Sequence, residues 1–208
     1  MAKYIDADCR LCRREGCKLF LKGDRCLTKK CAFERRPTAP GAHGNEKSMK
    51  RPSEYSIQLR EKQKVKRLYG LLEKQFRSYY DKAQKSKNVT GTEMLSLIER
   101  RLDNVVYRLG LGASRAQARQ FVNHGLITVN GHVVNIPSFQ VKIGDVIEVK
   151  ESKRDYEVFK ALKEMKVVCP KWLTLDVANL KGEVIAKPQR DDIDGNIRET
   201  LIVELYSK

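Results

Sequence analysis

Five of the six cysteines lie within the first 31 residues, in a segment with too few apolar side chains to build a core of its own. Cys9-x2-Cys12 is followed, after 13 residues, by Cys26-x4-Cys31. Two close pairs separated by a loop allow four thiolates to converge tetrahedrally. A structural Zn2+ held this way supplies on the order of 10–16 kcal/mol of apparent folding free energy in small zinc modules. The spacing therefore predicts one zinc ion on Cys9, Cys12, Cys26 and Cys31. Two alternatives stay open: Cys12-x4-Cys17 also has ligand-like spacing, and the bland reading is a set of reduced, partly buried thiols. Disulfides suit a cytosolic chain less well. Cys169, alone before Pro170, reads as a core or surface thiol.

The same segment shows no sustained helical or strand period and ends in Pro37-Thr38-Ala39-Pro40-Gly41-Ala42-His43-Gly44, so an irregular arm over residues 1–45 is expected. Basic residues crowd its cysteines: Arg10, Arg13, Arg14, Lys29, Lys30, Arg35 and Arg36. Residues 1–87 hold 24 Lys+Arg against 10 Asp+Glu, a net of +14, whereas residues 88–208 hold 18 against 16. A merely solvated face mixes its signs, as the second part does. The first part calls for a polyanionic partner. Lys47, Lys50, Arg51, Arg60, Lys62, Lys64, Lys66 and Arg67 extend the candidate contact set, and Arg60–Arg67 places five basic residues in eight, a run that repels itself unless a counter-surface absorbs it.

Membrane is the competing polyanion, but no run approaches the roughly 18 apolar residues of a spanning helix. The start, Met-Ala-Lys-Tyr-Ile-Asp, also lacks the apolar centre of a secretory signal, which leaves the cytosol as the default. Duplex DNA answers the charge, yet no Cys2His2 pattern, basic zipper or clear helix-turn-helix is present. Arginines on a rigid knuckle suit irregular RNA, where a guanidinium forks to phosphate or stacks on an unpaired base.

Beyond the arm, Pro52-Ser53-Glu54 starts a helix that Gly70 ends, and Leu72, Phe76, Tyr79 or Tyr80, and Ala83 stripe a second. Thr90-Gly91-Thr92-Glu93 reads as a capping box for a helix carrying Leu95, Ile98, Leu102, Val105, Val106 and Leu109 on one face, to Gly110. Ser114 caps a short helix to His124. Its inward Ala118, Phe121 and Val122 put Arg115 and Arg119 one turn apart on the outer face. Asn130-Gly131 between β-rich segments predicts a hairpin of 126–129 with 132–135. Val141 and Ile143 with Val146–Val149 add a pair. A helix over Tyr156–Lys166 and strands at Trp172–Val177, Val184–Lys187 and Leu201–Tyr206 complete an α+β chain with an antiparallel sheet. The reading divides the chain into an arm at 1–45, a helical domain at 46–97 and an α+β domain at 98–208, whose C-terminal segment is free to pack back on the helices.

No catalytic pattern emerges. The three histidines, His43, His124 and His132, sit in no nucleophile or metal-hydrolase motif, and Gly110-x-Gly112 has Arg115 where a third glycine would complete a dinucleotide fingerprint. Asp103 and Asp176 read as solvated acids. An enzyme is not expected.

Arg101-Leu102-Asp103-Asn104-Val105-Val106-Tyr107-Arg108-Leu109-Gly110, with Ser114-Arg115-x-x-Ala118-Arg119-Gln120 and Gly125-x-Ile127-x-Val129-Asn130-Gly131, resembles a two-helix and hairpin RNA-binding module. Small ribosomal subunit protein four, pseudouridine synthases, tyrosyl-tRNA synthetases and a ribosome-associated heat-shock protein share it. The resemblance implies RNA contacts by Arg115, Arg119, His124 and Asn130, with Arg108 on the same module. The whole chain resembles the small ribosomal subunit protein four family of bacteria. Its signatures are Arg10-Leu11-Cys12-Arg13-Arg14-Glu15-Gly16, Glu34-Arg35-Arg36-Pro37 to Pro40-Gly41-x-His43-Gly44, Leu59-Arg60-Glu61-Lys62-Gln63-Lys64 and Ile202-Val203-Glu204-x-Tyr206-Ser207. Some members lack the cysteines; this chain is similar to the zinc-bearing kind. The resemblance implies direct binding of 16S rRNA early in subunit assembly, and contact with neighbouring small-subunit proteins where messenger enters. It also implies an influence on decoding accuracy and repression of the chain's own messenger. The competing readings are an RNA-modifying enzyme that holds substrate with the same module, for which about 59 residues after Val149 are too few, and a stand-alone RNA-binding regulator.

Overall fold

The computed structural model describes residues 3–44, 51–163 and 169–207. The chain falls into two compact units, residues 1–94 with 195–208, and residues 95–194.

In the first unit the arm is more regular than the sequence predicts. It contains α1 (Asp8–Glu15), a 3-10 turn at Gly23–Leu27 and α2 (Ala32–Arg35). These elements bury Leu11, Leu19, Cys12, Cys26 and Cys31, a set dominated by sulfur that leaves no apolar periodicity to read. Gly16 closes α1 at φ 68°, a left-handed value that glycine adopts without a Cβ clash.

Helix α3 (Glu54–Leu68) starts at Ser53, whose hydroxyl accepts from the Ser56 amide at 3.3 Å. Helix α4 (Glu73–Gln84) buries Phe76, Tyr79, Tyr80 and Ala83 of the expected stripe, while Leu72, its N-cap, is exposed. The expected strand over Leu201–Tyr206 is instead a helix, α9 (Glu199–Ser207), packed on α3. Alternation misleads here because Ile202 and Tyr206 are also one helical turn apart. Ile202 is fully buried, and the Tyr206 ring lies 4.7 Å from that of Tyr80. Polar contacts complete the seam: Gln58 Nε2 donates to Glu204 at 3.0 Å, the Arg198 amide to Glu61 at 3.0 Å, and the Tyr206 hydroxyl to Glu73 at 2.8 Å.

Helix α5 (Thr90–Glu99) follows, with Glu93 bound by the Asn88 side chain at 2.9 Å. It does not run on to Leu109. Arg101 is extended (φ −68°, ψ 137°) and bridges Gln140, and a new helix, α6 (Leu102–Arg108), begins. The first amides of α6, which have no partner inside the helix, donate to Phe139 and Pro137 carbonyls at 2.9 and 3.1 Å. The break is thus satisfied by the 137–139 loop.

The second unit continues with α7 (Arg115–Asn123), capped by Ser114 as expected, then β1 (Ile127–Val129) and β2 (His132–Val133). Asn130 and Gly131 take φ 50° and 80°, the positive pair that an Asn-Gly hairpin requires. β3 (Val146–Val149), α8 (Glu157–Lys163), β4 (Leu173–Asp176) and β5 (Lys181–Val184) follow. The antiparallel sheet has the order β2-β1-β3-β5-β4, so the α+β expectation holds. Val141 and Ile143 lie outside the strands, and the last hairpin pairs three residues earlier than expected, turning at Leu180 with φ 52°. Leu102, Val105, Val106 and Leu109 of α6 and Ala118 and Val122 of α7 close over Ile127, Ile147, Val149 and Val184. Gly182 admits the Leu109 side chain, whose Cδ2 lies 2.5 Å from where a Cβ would stand.

Candidate nucleic-acid interface

On the arm, Arg10, Arg14, Lys29, Lys30, Arg35 and Arg36 are exposed, as is Arg51 beyond it. Arg13 is half-buried, and its guanidinium donates to the Thr38 carbonyl at 2.8 Å and to that of Ala39 at 3.4 Å, so it fastens α1 to the Pro-rich turn. Lys47 and Lys50 lie outside the described residues.

Cys12, Cys26 and Cys31 are buried, and Cys9 and Cys17 partly so. Burial pushes the Cys12 thiol up, against a hydrogen bond from the Leu19 amide, while Cys26, Cys9 and Cys17 push it the same way. Among the described residues no three His, Cys, Asp or Glu side chains are gathered closely enough to hold a metal ion.

The basic run of α3 has its counter-surface inside the protein. Glu15, with 1% of its side chain exposed, pairs with Arg60 at 3.2 Å and with Arg67. Burial pushes its carboxyl up in spite of Arg67, Arg60 and Arg14. Glu61 takes Lys64 at 2.7 Å, and Glu73 takes Lys62 at 2.7 Å and Lys66 at 2.9 Å. Burial alone would raise the Glu73 carboxyl, but hydrogen bonds from Lys62, Lys66 and Tyr206 outweigh it and hold Glu73 at about 2. Lys62 is itself buried. This run folds the unit before it does anything else.

In the second unit the start of α7 faces the start of α6 across a buried polar network, which corrects the expectation that Arg115 and Arg119 share an outer face. Arg119 is buried and donates to Asp103 at 3.3 Å. Arg101, fully buried, grips the same carboxylate through Nε at 3.0 Å and Nη2 at 2.6 Å. Asp103 is therefore not a solvated acid. Arg115 Nε donates to Asn104 Oδ1 at 2.8 Å, and its guanidinium lies 4.5 Å from the Tyr107 ring centroid. Arg108 pairs with the buried Glu99 at 2.6 Å, and Asn104 donates to the Glu99 carbonyl at 2.9 Å. The half-exposed Asp194 lies 3.9 Å from Arg108 and 3.8 Å from Arg115.

His124 is exposed at the C-terminal end of α7. Asn130 is exposed at the hairpin tip, but its side-chain amide is engaged at both ends: Nδ2 donates to Asp145 at 2.9 Å and Oδ1 accepts from the Val146 amide at 2.9 Å. The residues that sequence reasoning missed are the partners, Glu15, Glu73, Glu99 and Asn104. No sequence signal marks the first two, which lie outside the basic run they pair with.

The sequence matches the family described as "Ribosomal protein S4/S9 N-terminal domain" over residues 3–99 and that described as "S4 domain" over residues 100–147. It is 61% identical to the small ribosomal subunit protein uS4 of Oleidesulfovibrio alaskensis, 62% identical to that of Caldicellulosiruptor bescii and 60% identical to that of Lawsonia intracellularis, in each case across 100% of both chains. With a five-stranded antiparallel sheet under two helices in one unit and a cysteine-bearing helical arm in the other, the chain belongs to the uS4 family of small ribosomal subunit proteins.

Proposed function

We propose that this chain is a structural constituent of the small ribosomal subunit that binds 16S rRNA directly and nucleates assembly of the subunit body. The observation that carries this is the arm: Arg10, Arg14, Arg35 and Arg36 are exposed, whereas the five cations of the basic run on α3 each pair with Glu15, Glu61 or Glu73. Phosphate is the ligand that such a surface suits. Among the described residues no helix is long and apolar enough to cross a membrane. The same reading extends to contacts with neighbouring small-subunit proteins where messenger enters, a role in decoding accuracy, and binding to the chain's own messenger. Added to cell extract in tagged form, the chain should sediment with small-subunit particles and not with large-subunit particles. Free migration at the top of the gradient would contradict the proposal.

One structural Zn2+ on Cys9, Cys12, Cys26 and Cys31 belongs to the same reading. Support comes from the donor chemistry: soft thiols, three of them buried, with Cys26 and Cys9 close enough to Cys12 to oppose its ionisation. The four sulfurs have to draw together to reach the ion, and a cation would offset the burial, and the smaller repulsion from Cys26 and Cys9, that raise Cys12. Metal analysis of the gently purified protein should give one zinc per chain. Cys12→Ser or Cys26→Ser should abolish uptake and speed amide exchange in residues 1–45, with the second unit unchanged. A metal-free chain with protected arm amides would overturn it.

A further inference from the structure

We infer that Phe20 is a stacking platform for an unpaired base of RNA, an inference that rests on the RNA-binding reading above and adds a subsite to it. Phe20 sits at φ 50°, a left-handed conformation that a bulky aromatic residue adopts only when its surroundings force it. The residues before it are clamped. The Cys17 amide donates to the Cys12 carbonyl at 3.3 Å, Lys18 Nζ donates to the Cys26 carbonyl at 3.2 Å and pairs with Glu34, and Leu19 is buried with its amide on the Cys12 thiol. The chain then reverses its handedness for one residue and turns the Phe20 side chain outward, 44% exposed.

The clamped neighbours account for the backbone conformation, but an aromatic ring left partly in water loses part of its hydrophobic gain, so its outward placement serves something other than folding. The charge of the segment that follows selects the occupant. Lys22, Arg25, Lys29 and Lys30, on the segment that follows, are all exposed. Exposed cations on the segment that follows an outward ring suit a base with its phosphates: the ring takes the π-face while the cations hold the backbone. An apolar protein surface would have to desolvate those same cations.

The test uses the full chain with two probes, a 16S rRNA body fragment and an unstructured oligonucleotide. Phe20→Ala should weaken binding of the fragment about ten-fold, with an unchanged slope of log affinity against log salt, because a stack is lost and no phosphate contact is. Phe20→Trp should keep the affinity, and the fluorescence of the introduced indole should be quenched by either probe. Wild-type affinity in F20A together with unquenched fluorescence in F20W would overturn the inference. So would an F20A chain that keeps its RNA affinity yet no longer joins small-subunit particles, since the ring would then meet a protein. If F20A does not fold, F20W alone decides by its quenching. Equal wild-type affinity for the rRNA fragment and for unrelated RNA, with the indole still quenched, would defeat the ribosomal reading and leave the stacking site standing.

Discussion

Replacing Asp103 with alanine should destabilise the second unit by about 3–5 kcal/mol, the range for removing one member of a buried ion pair. Here two guanidiniums share one carboxylate: Arg101, fully buried, through two hydrogen bonds, and Arg119, buried, through a third. Asp103→Asn, which keeps the shape and one acceptor, should cost less. Urea unfolding followed by a probe within residues 95–194 measures both. A loss below about 1 kcal/mol for the alanine variant would place those arginines in solvent and refute the buried network.

The second large effect concerns affinity. Changing Arg10, Arg14, Arg35 and Arg36 together to alanine should weaken RNA binding by about 100-fold or more at moderate salt. It should also reduce the slope of log affinity against log salt by roughly three, since each phosphate contact releases a fraction of a counterion. Changing Lys62 and Lys66 should do the reverse. Their charges already rest on Glu73, at 2.7 and 2.9 Å, so that pair should cost stability and leave the salt slope nearly as it was. Equal slopes for the two variants would show that exposure on the arm does not choose the contacts.

Net charge per segment could not make that distinction. The sequence shows Lys62, Lys66 and Arg67 as part of one basic run, and only the fold brings Glu15 and Glu73 to them. Asp103 and Arg119 fail for a related reason. Apolar periodicity assigned the inner face of α7 correctly at Ala118 and Val122, but a buried ion pair adds nothing to such a pattern, so Arg119 read as an outer residue. Where a local rule carried the whole constraint, the sequence was sufficient: Ser114 caps α7, and Asn130-Gly131 turns the hairpin with both φ values positive. Where two periods fit the same residues, as at Leu201–Tyr206, the choice of helix followed from tertiary partners on α3 and α4 that no window of sequence contains.

Chemical footprinting on intact 16S rRNA reaches the proposed role most directly. The purified chain, at concentrations near its dissociation constant and at physiological salt, should protect a compact set of nucleotides at a helical junction of the subunit body. That protection should survive an excess of unrelated RNA and vanish with the four-arginine variant. Protection scattered along the rRNA, or erased by the unrelated competitor, would reduce the chain to a generic polyanion binder and contradict its proposed place in subunit assembly.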